Sequence, residues 1–129
     1  MRTPAKSWKP VPVDRIWDPG ARNERVKSRF GRGDWSVTDL AAVVADQPVF
    51  DLPLECIDLG GHDFGTDGGL LGFARHMRHV LDCDTSVPVI LDEWGGLIDG
   101  RHRVVRALID GLATVPARRV PSGTQPTSA

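Results

Sequence analysis

The residues best suited to chemistry stand together in one short stretch, Ile98-Asp99-Gly100-Arg101-His102-Arg103. A strand pattern ends there, a glycine turns the chain, and a helical pattern begins with two arginines and a histidine in its first turn. The backbone N–H groups of a first helical turn have no acceptor within the helix, and the helix dipole makes that end positive. Glycine lets an anion approach the backbone closely, and arginine adds forked donors. The stretch therefore predicts an anion-binding site, with phosphate as the usual ligand.

A second interpretation of the same stretch needs no ligand. Acidic residues normally stabilise the first turn of a helix. Basic residues there lower the stability of the helix by about a few tenths of a kcal/mol each when no anion is bound. Asp99 could instead cap the helix and pair with Arg103, which would leave a purely structural helix start.

Two histidines and two cysteines are the remaining candidates for metal or nucleophile chemistry. His76 and His79 lie at i, i+3 of a helical pattern, a spacing that can bind zinc, but no cysteine or acidic residue stands at a matching distance. We therefore expect surface histidines and no metal site. Cys56 falls in a predicted strand and Cys83 follows a helix end, so each is expected to be a small buried apolar residue.

The elements that must position the basic stretch alternate between helical and strand patterns. The first helix has a capping-box variant, Ser36-Val37-Thr38-Asp39, and is stopped by Pro48. The predicted elements are a helix over 34–46, a strand over 52–59, a glycine loop over 60–69, a helix over 70–82, a hairpin of strands 87–92 and 97–100, a helix over 101–110 and a strand over 114–120. The glycine loop is either a connector or a lid over the anion site.

The longest predicted helix carries an apolar stripe at i, i+3, i+4 and i+7. We expect this stripe to be buried and the basic and histidine side chains to lie on the rest of the surface; the stripe comprises Leu70, Phe73, Ala74, Met77, Val80 and Leu81.

Length and charge define three regions. The 129 residues correspond to about one domain. Residues 1–33 hold nine Lys/Arg and three acids, which leaves a charge of −7 on the remaining 96 residues. We expect a basic, largely irregular arm over 1–33 that is extended or loop-like, with at most one short helical turn near 21–29, a domain over 34–120 and a disordered tail over 121–129. The arm either contacts DNA or a partner, or is a solvated segment that precedes the domain without a binding role.

The composition also limits the cell compartment. The two cysteines form no CxxC pair, and no apolar run approaches the ~20 residues of a membrane helix. No apolar stretch follows the N-terminal Met-Arg-Thr-Pro, as a secretory signal would require. We expect a cytoplasmic protein that does not contact membranes.

The sequence around the basic helix start carries a family resemblance. The motifs are Pro88-Val89-Ile90-Leu91, then Gly96-Leu97-Ile98-Asp99-Gly100-Arg101-His102-Arg103, then an Ala/Leu helix with Gly111, and finally Thr114-Val115-Pro116-Ala117-Arg118-Arg119-Val120. Together they resemble the ParB N-terminal domain/sulfiredoxin superfamily over roughly residues 52–120, most closely over 86–120.

The resemblance implies an α/β fold (α+β, with a mixed sheet) whose helix start holds nucleotide phosphates. Gly100, Arg101, His102 and Arg103 are then expected to bind a nucleoside triphosphate, ATP or CTP, alone or with Mg²⁺. Sulfiredoxins carry their nucleophilic cysteine where this chain has Arg101, so sulfinic-acid reduction is not expected.

Two functions remain open at this point. One is a ParB-like nucleotide-binding module that acts with DNA, a protein partner or a second copy of itself. The other is a small nucleotide-dependent phosphotransferase, since free-serine kinases of this fold carry a similar D-G-H-H-R motif. A phosphotransferase needs a carboxylate near the phosphates. The candidates are Asp99 beside the site and Glu55, Asp58 and Asp63 around the junction of the first strand and the glycine loop.

Overall fold

Three α-helices and six β-strands form the described part of the chain. The structure, a computed structural model, describes residues 25–27, 34–58 and 69–127. The strands are β1 (Arg25–Lys27), β2 (Asp34–Ser36), β3 (Phe50–Pro53), β4 (Val89–Leu91), β5 (Leu97–Asp99) and β6 (Thr114–Arg119), and the helices are α1 (Val37–Val44), α2 (Gly69–Asp82) and α3 (Arg101–Ile109). A single 3-10 turn, Leu54–Cys56, follows β3.

A mixed four-stranded sheet is the centre of this domain. Its strand order is β3-β6-β4-β5, with β4 and β6 parallel and the two outer pairs antiparallel. The predicted mixed α/β fold is confirmed. Because β4 and β6 run in the same direction, both finish at one end of the sheet, whereas β3 and β5 finish at the other. The sheet therefore offers two different ends on which a site can be built.

Both faces of the sheet are covered. Val89 and Leu91 of β4 pack with Val104 and Ala107 of α3 on one face. The residue between them on the strand, Ile90, packs on the opposite face against α1 and β2, where the core comprises Trp35, Leu40, Val44, Ile98 and Val120. Alternate residues of one short strand thus belong to two apolar clusters, which is why β4 is buried along its whole length.

Helix α1 begins where its capping pattern predicts. The Asp39 amide donates to Ser36 Oγ at 3.0 Å, and the helix ends at Val44, before Pro48. Ser36 also ends β2, so the same residue that caps α1 joins it to the β1–β2 pair.

The predicted strand over 52–59 is wrong in its second half. β3 ends at Pro53, and the chain turns so that the Ile57 amide donates to the Leu54 carbonyl at 3.1 Å. This turn brings Leu54 and Ile57 into the core together, which the alternation of a strand would not allow. Cys56 is consequently exposed and not buried as predicted, while Cys83 is half-buried.

The predicted helix over 70–82 is confirmed as α2, but only part of its apolar stripe is buried. Leu70 is 88% exposed, Phe73 58% and Leu81 59%, whereas Val80 of the same stripe is fully buried. Gly72, which is not part of the stripe, is also buried. The buried side of α2 is therefore turned away from the exposed members of the stripe.

The arm and the tail both contain ordered segments where they are described. Arg25–Lys27 form β1, which is extended as predicted for the arm and antiparallel to β2, and not a helical turn. The tail has no helix or strand over 121–127, but it is not disordered as predicted. The Ser36 amide donates to Thr127 Oγ1 at 2.8 Å, and Thr127 Oγ1 donates to Asp39 Oδ2 at 2.6 Å, so the tail is fixed against α1. Residues 1–24, 28–33, 59–68 and 128–129 lie outside the described residues, so the DNA contact of the arm and the lid function of the glycine loop stay predictions.

The packing of α3 on β4 can be tested by substitution at the contact between Gly100 and Val89. Gly100 has φ +116, and a Cβ added to it would lie 2.6 Å from Val89 Cγ1. We expect Gly100→Ala to lower the free energy of unfolding by about 2–4 kcal/mol, because a left-handed backbone strain and an overpacked contact add. Gly111 is the matched control, since it has φ +72 but nothing within 4 Å of an added Cβ. Gly111→Ala should cost only about 1 kcal/mol. Equal losses in urea denaturation would contradict the packing role of Gly100.

Candidate functional site: the basic start of α3

The first turn of α3 has donors without acceptors inside the helix. Gly100 is the N-cap residue, supplies no side-chain cap, and has the left-handed backbone that glycine favours. The first intrahelical bond runs from the Val104 amide to the Gly100 carbonyl at 3.0 Å. The amides of residues 101–103 therefore have no acceptor in the helix. The turn contains no acidic side chain, so its positive dipole and its basic side chains add.

Arg103 is used to hold the helix in place. One guanidinium nitrogen, Nη1, donates to the Pro88 carbonyl at 2.9 Å and lies 3.4 Å from the Val87 carbonyl. The other, Nη2, is 3.2 Å from Asp99 Oδ2. Both side chains are well covered, at 15% exposure for Arg103 and 30% for Asp99. Arg103 thus ties the start of α3 to the residues just before β4, as a positioning residue.

Asp99 has one of the two structural roles considered from the sequence. It pairs with Arg103, but it does not cap α3, since the helix has no side-chain cap bond. Its carboxylate is therefore engaged on the side of the helix and does not occupy the amides at the helix start. The ion pair and an anion at the amides are compatible in this geometry.

Three histidines meet where α2 packs on α3, and we call them the histidine cluster: His76, His79 and His102. His76 Nδ1 and His102 Nε2 are 3.1 Å apart, within hydrogen-bond distance, and their rings stack with centroids 5.4 Å apart. The ring of His79 lies 5.2 Å from that of His102 at a tilt of 44°. The expectation that His76 and His79 are ordinary surface histidines is wrong, because both face a half-buried ring on the neighbouring helix.

The surroundings of His102 make its imidazole a poor base. Burial, as the largest cause, and positive charge from His79, His76, Arg101 and Arg103 together lower the pKa of His102 from 6.5 to about 4. The ring is therefore neutral at pH 7.

The histidine cluster is not arranged as a metal centre. Stacked rings present their faces to one another and do not direct three nitrogen lone pairs to one point. Within residues 25–27, 34–58 and 69–127, no three His, Cys, Asp or Glu side chains form a group that could hold a metal ion. Cys83 is engaged nearby, since its thiol donates to the Val80 carbonyl at 3.1 Å and burial raises its pKa.

The predicted catalytic carboxylates that the structure describes, Glu55, Asp58 and Asp99, are not gathered around the basic helix start. Glu55 is exposed in the 3-10 turn after β3, which is the edge strand opposite to β5. β6 and β4 lie between those edges, so at ~4.8 Å per strand Glu55 follows a strand about 14 Å from the one that leads to Gly100. Asp58 is also exposed, and Asp63 lies outside the described residues. Asp99 is the one candidate placed beside the site, where it is paired with Arg103.

The sequence contained a signal for the histidine cluster that the apolar stripe obscured. Gly72, His76, His79 and Val80 stand at i, i+4, i+7 and i+8, which is one face of a helix. Hydrophobicity alone does not select this face of the helix, because glycine and histidine do not count as strongly apolar residues.

Comparison of the chain with family models, with curated proteins and with solved structures finds no match. The resemblance to the ParB/sulfiredoxin superfamily therefore stays a prediction from the motifs. Among the described residues, no helix combines the length and apolar character needed to cross a bilayer.

The role of Arg103 can be tested against a second Arg–Asp pair at the same spacing. Arg78 and Asp82 on α2 also form an i,i+4 ion pair, at 3.1 Å, but their side chains are 47% and 42% exposed. We expect Arg103→Ala to lower the free energy of unfolding by about 1–3 kcal/mol, because it leaves part-buried oxygens without a donor. Arg78→Ala should change it by less than about 0.5 kcal/mol. Similar values for both variants in chemical denaturation would contradict a structural role of Arg103.

The lowered pKa of His102 predicts acid sensitivity. Between pH 6.5 and about 4, the unfolded chain binds a proton at this ring that the folded chain does not bind. The free energy of unfolding should therefore fall as the pH is lowered through this range, by about 1 kcal/mol once solvent screening of a partly exposed ring is included. His102→Gln should flatten that part of the profile relative to the parent. Parallel pH profiles of urea denaturation for the two proteins would refute the prediction.

Proposed function

We propose that the chain binds the phosphate groups of a nucleotide at the basic start of α3. The observation that carries this proposal is the position of His102: its half-buried ring lies next to a helix N-terminus, and positive charge from His79, His76, Arg101 and Arg103 contributes to its lowered pKa. Such an arrangement opposes protonation of the ring and is relieved by an anion. A structural helix start would gain from an acidic side chain at this place, and the first turn has none.

The donors fall into two groups with different roles. The amides at the start of α3 and the exposed side chain of Arg101 face the anion first. The histidine cluster adds ring N–H donors on the α2 side, and its members become stronger donors when they are protonated. Arg103 orients the helix through Pro88 and Asp99 and is not counted as a phosphate ligand.

A polyphosphate suits this face better than a single small anion. The donors extend from the first turn of α3 across to α2, so a chain of two or three phosphates can use both groups at once. The nucleoside triphosphate implied by the motifs, ATP or CTP, supplies such a chain and can bring Mg²⁺ with it. Base identity is the part of the proposal that rests on the resemblance alone.

The placement of the acids favours a binding module over a phosphotransferase. Phosphoryl transfer needs a carboxylate to hold Mg²⁺ or to accept the proton of the acceptor. Asp99 is committed to Arg103, and Glu55 follows the strand at the opposite edge of the sheet. The proposed module therefore binds a nucleotide, and binding alters the contact between α2 and α3. We assign no reaction to the module.

Binding of phosphates predicts a thermal shift that depends on named residues. Tripolyphosphate, ATP, CTP, GTP and ADP, each with and without Mg²⁺, should raise the melting temperature as a ligand of the native state does. Arg101→Ala should weaken binding about 10-fold or more, because a charge-assisted donor is lost. Arg78→Ala is the control on the same surface, since that side chain is exposed and paired with Asp82. No shift with any of these ligands at millimolar concentration, or equal affinity of the two variants, would overturn the proposal.

The same titration should show proton uptake. An anion beside His102 raises the pKa of the ring, so binding should tighten as the pH is lowered from 7.5 to 6. Phosphate groups themselves titrate near pH 6, so the comparison with His102→Gln isolates the contribution of the protein. Calorimetry in buffers of different ionisation enthalpy measures the protons directly. Equal proton uptake by the parent and by His102→Gln would remove His102 from the site.

A further inference from the structure

A second concave site lies at the other end of the sheet, where the parallel strands β4 and β6 finish. The cavity has a volume of about 290 Å³ and opens between the hairpin turn after β4 and the segment 120–126 after β6. Ligands of open α/β sheets commonly bind beyond the carboxyl ends of parallel strands. The phosphate-binding face proposed above is at the opposite end, so the two sites do not share residues.

Two tryptophans border this cavity, and we call it the tryptophan cavity. Trp35 of β2 is 5% exposed and lines the inner part with Ile98 and Val120, its partners in the apolar core. Trp94 in the hairpin turn is 60% exposed and lines the open side. An exposed indole at the edge of a cavity offers a large ring face to a ligand.

The position of Trp94 is set by its own turn. The amides of Trp94 and Gly96 both donate to Asp92 Oδ1, at 2.9 and 2.7 Å, and the Asp92 amide donates to the Gly96 carbonyl at 2.8 Å. Asp92 is only 3% exposed, so this turn is a fixed part of the domain. The indole is therefore presented from a rigid backbone, as a preorganised binding surface requires.

The wall opposite the hairpin is also held in place. The Gly123 amide donates to Glu93 Oε2 at 2.8 Å, and Thr124 Oγ1 donates to the Pro121 carbonyl at 2.8 Å. Thr127 then attaches the end of the segment to Ser36 and Asp39. The tail thus closes one side of the cavity, and Glu93 joins the two walls across it.

The charge of the lining is negative. Asp92 and Glu93 both line the cavity, and the described lining residues include no lysine or arginine. Arg118 and Arg119, which precede Val120, do not line the cavity, although Arg119 Nη2 lies beside the hairpin turn, 3.7 Å from where a Cβ on Gly95 would stand. Carboxylates next to indole faces attract cations, since the faces of aromatic rings carry negative charge as well.

We propose that the tryptophan cavity binds a small organic cation of the alkylammonium class. The volume is at the lower end of the range for ligand pockets, about 300–1,000 Å³, which limits the ligand to a head group of trimethylammonium size with a short substituent. The methyl groups of such a cation contact Trp35 and Trp94, and its charge is balanced by Glu93. A compact inorganic cation would leave the indoles without contact, and an anion would be repelled by the two carboxylates.

Choline and its uncharged isostere 3,3-dimethylbutan-1-ol test the proposal directly. Both have the same shape, but only choline carries the positive charge. Titration of the full chain, followed by tryptophan fluorescence and by calorimetry, should show saturable choline binding in the millimolar range or tighter. The alcohol should bind about 10-fold more weakly, which is the size expected for a cation–π and carboxylate contribution.

Variants assign the binding to the cavity. Trp94→Ala should weaken choline binding about 10-fold, and Glu93→Gln should weaken it while the amide oxygen still accepts from Gly123. Phe73→Ala removes a comparably exposed aromatic residue on α2, at 58% exposure, and should leave choline affinity unchanged. Arg101→Ala should also leave it unchanged, so failure of the phosphate site and failure of this proposal are distinguishable. Absence of saturation by 50 mM choline (about the weakest affinity compatible with a functional site), equal binding of the alcohol, or unchanged affinity of Trp94→Ala would each overturn the proposal.

Discussion

The close approach of α3 to β4 is the constraint on which the rest of the structure depends. Gly100 lies so near Val89 that a single Cβ would reach 2.6 Å from its Cγ1, and Arg103 bonds to the Pro88 carbonyl one residue earlier. These contacts fix both the angle at which α3 leaves β5 and the burial of Val104 and Ala107 beneath the sheet. They also account for two residues that the sequence alone connects with phosphate binding: the glycine satisfies packing and backbone geometry, and one arginine is used as a structural tie. The groups that remain for the proposed phosphate site are the amides, Arg101 and the histidines.

Positive charge concentrated at the contact between α2 and α3 disfavours a further charge on His102. His102 avoids protonation because burial and four positive neighbours lower its pKa to about 4. The α2–α3 contact consequently includes the ring of His102, which is neutral at pH 7, while Leu70, Phe73 and Leu81 of α2 are exposed. Contacts of this kind respond to ionisation and to anions more strongly than an apolar helix pair does, because each added charge acts on rings that are 5.2 to 5.4 Å apart.

The mixed direction of the sheet separates two kinds of surface. At the end where β3 and β5 finish, the chain presents a helix start with basic side chains. At the end where β4 and β6 finish, it presents two tryptophans, two carboxylates and a wall made by the tail. The β1–β2 pair and α1 support the second end, since Trp35 lies in β2 and the tail is attached to Ser36 and Asp39. The β1–β2 pair, α1 and the tail lie outside the central sheet, and they therefore form part of the surface around the tryptophan cavity.

The sequence by itself determined the elements that depend on neighbouring residues. The cap at Ser36, the hairpin followed at once by α3, and the last strand could all be predicted, since each follows from periodicity or from a local capping or turn preference. The tertiary structure decided which side of α2 is buried, where β3 ends, what Arg103 bonds and where the tail lies. Each of these depends on partners distant in sequence: His102 for His76, Pro88 for Arg103, Asp39 for Thr127. Periodicity shows that a helix has two sides, but the shape and charge of the surface that it meets select the one that is buried.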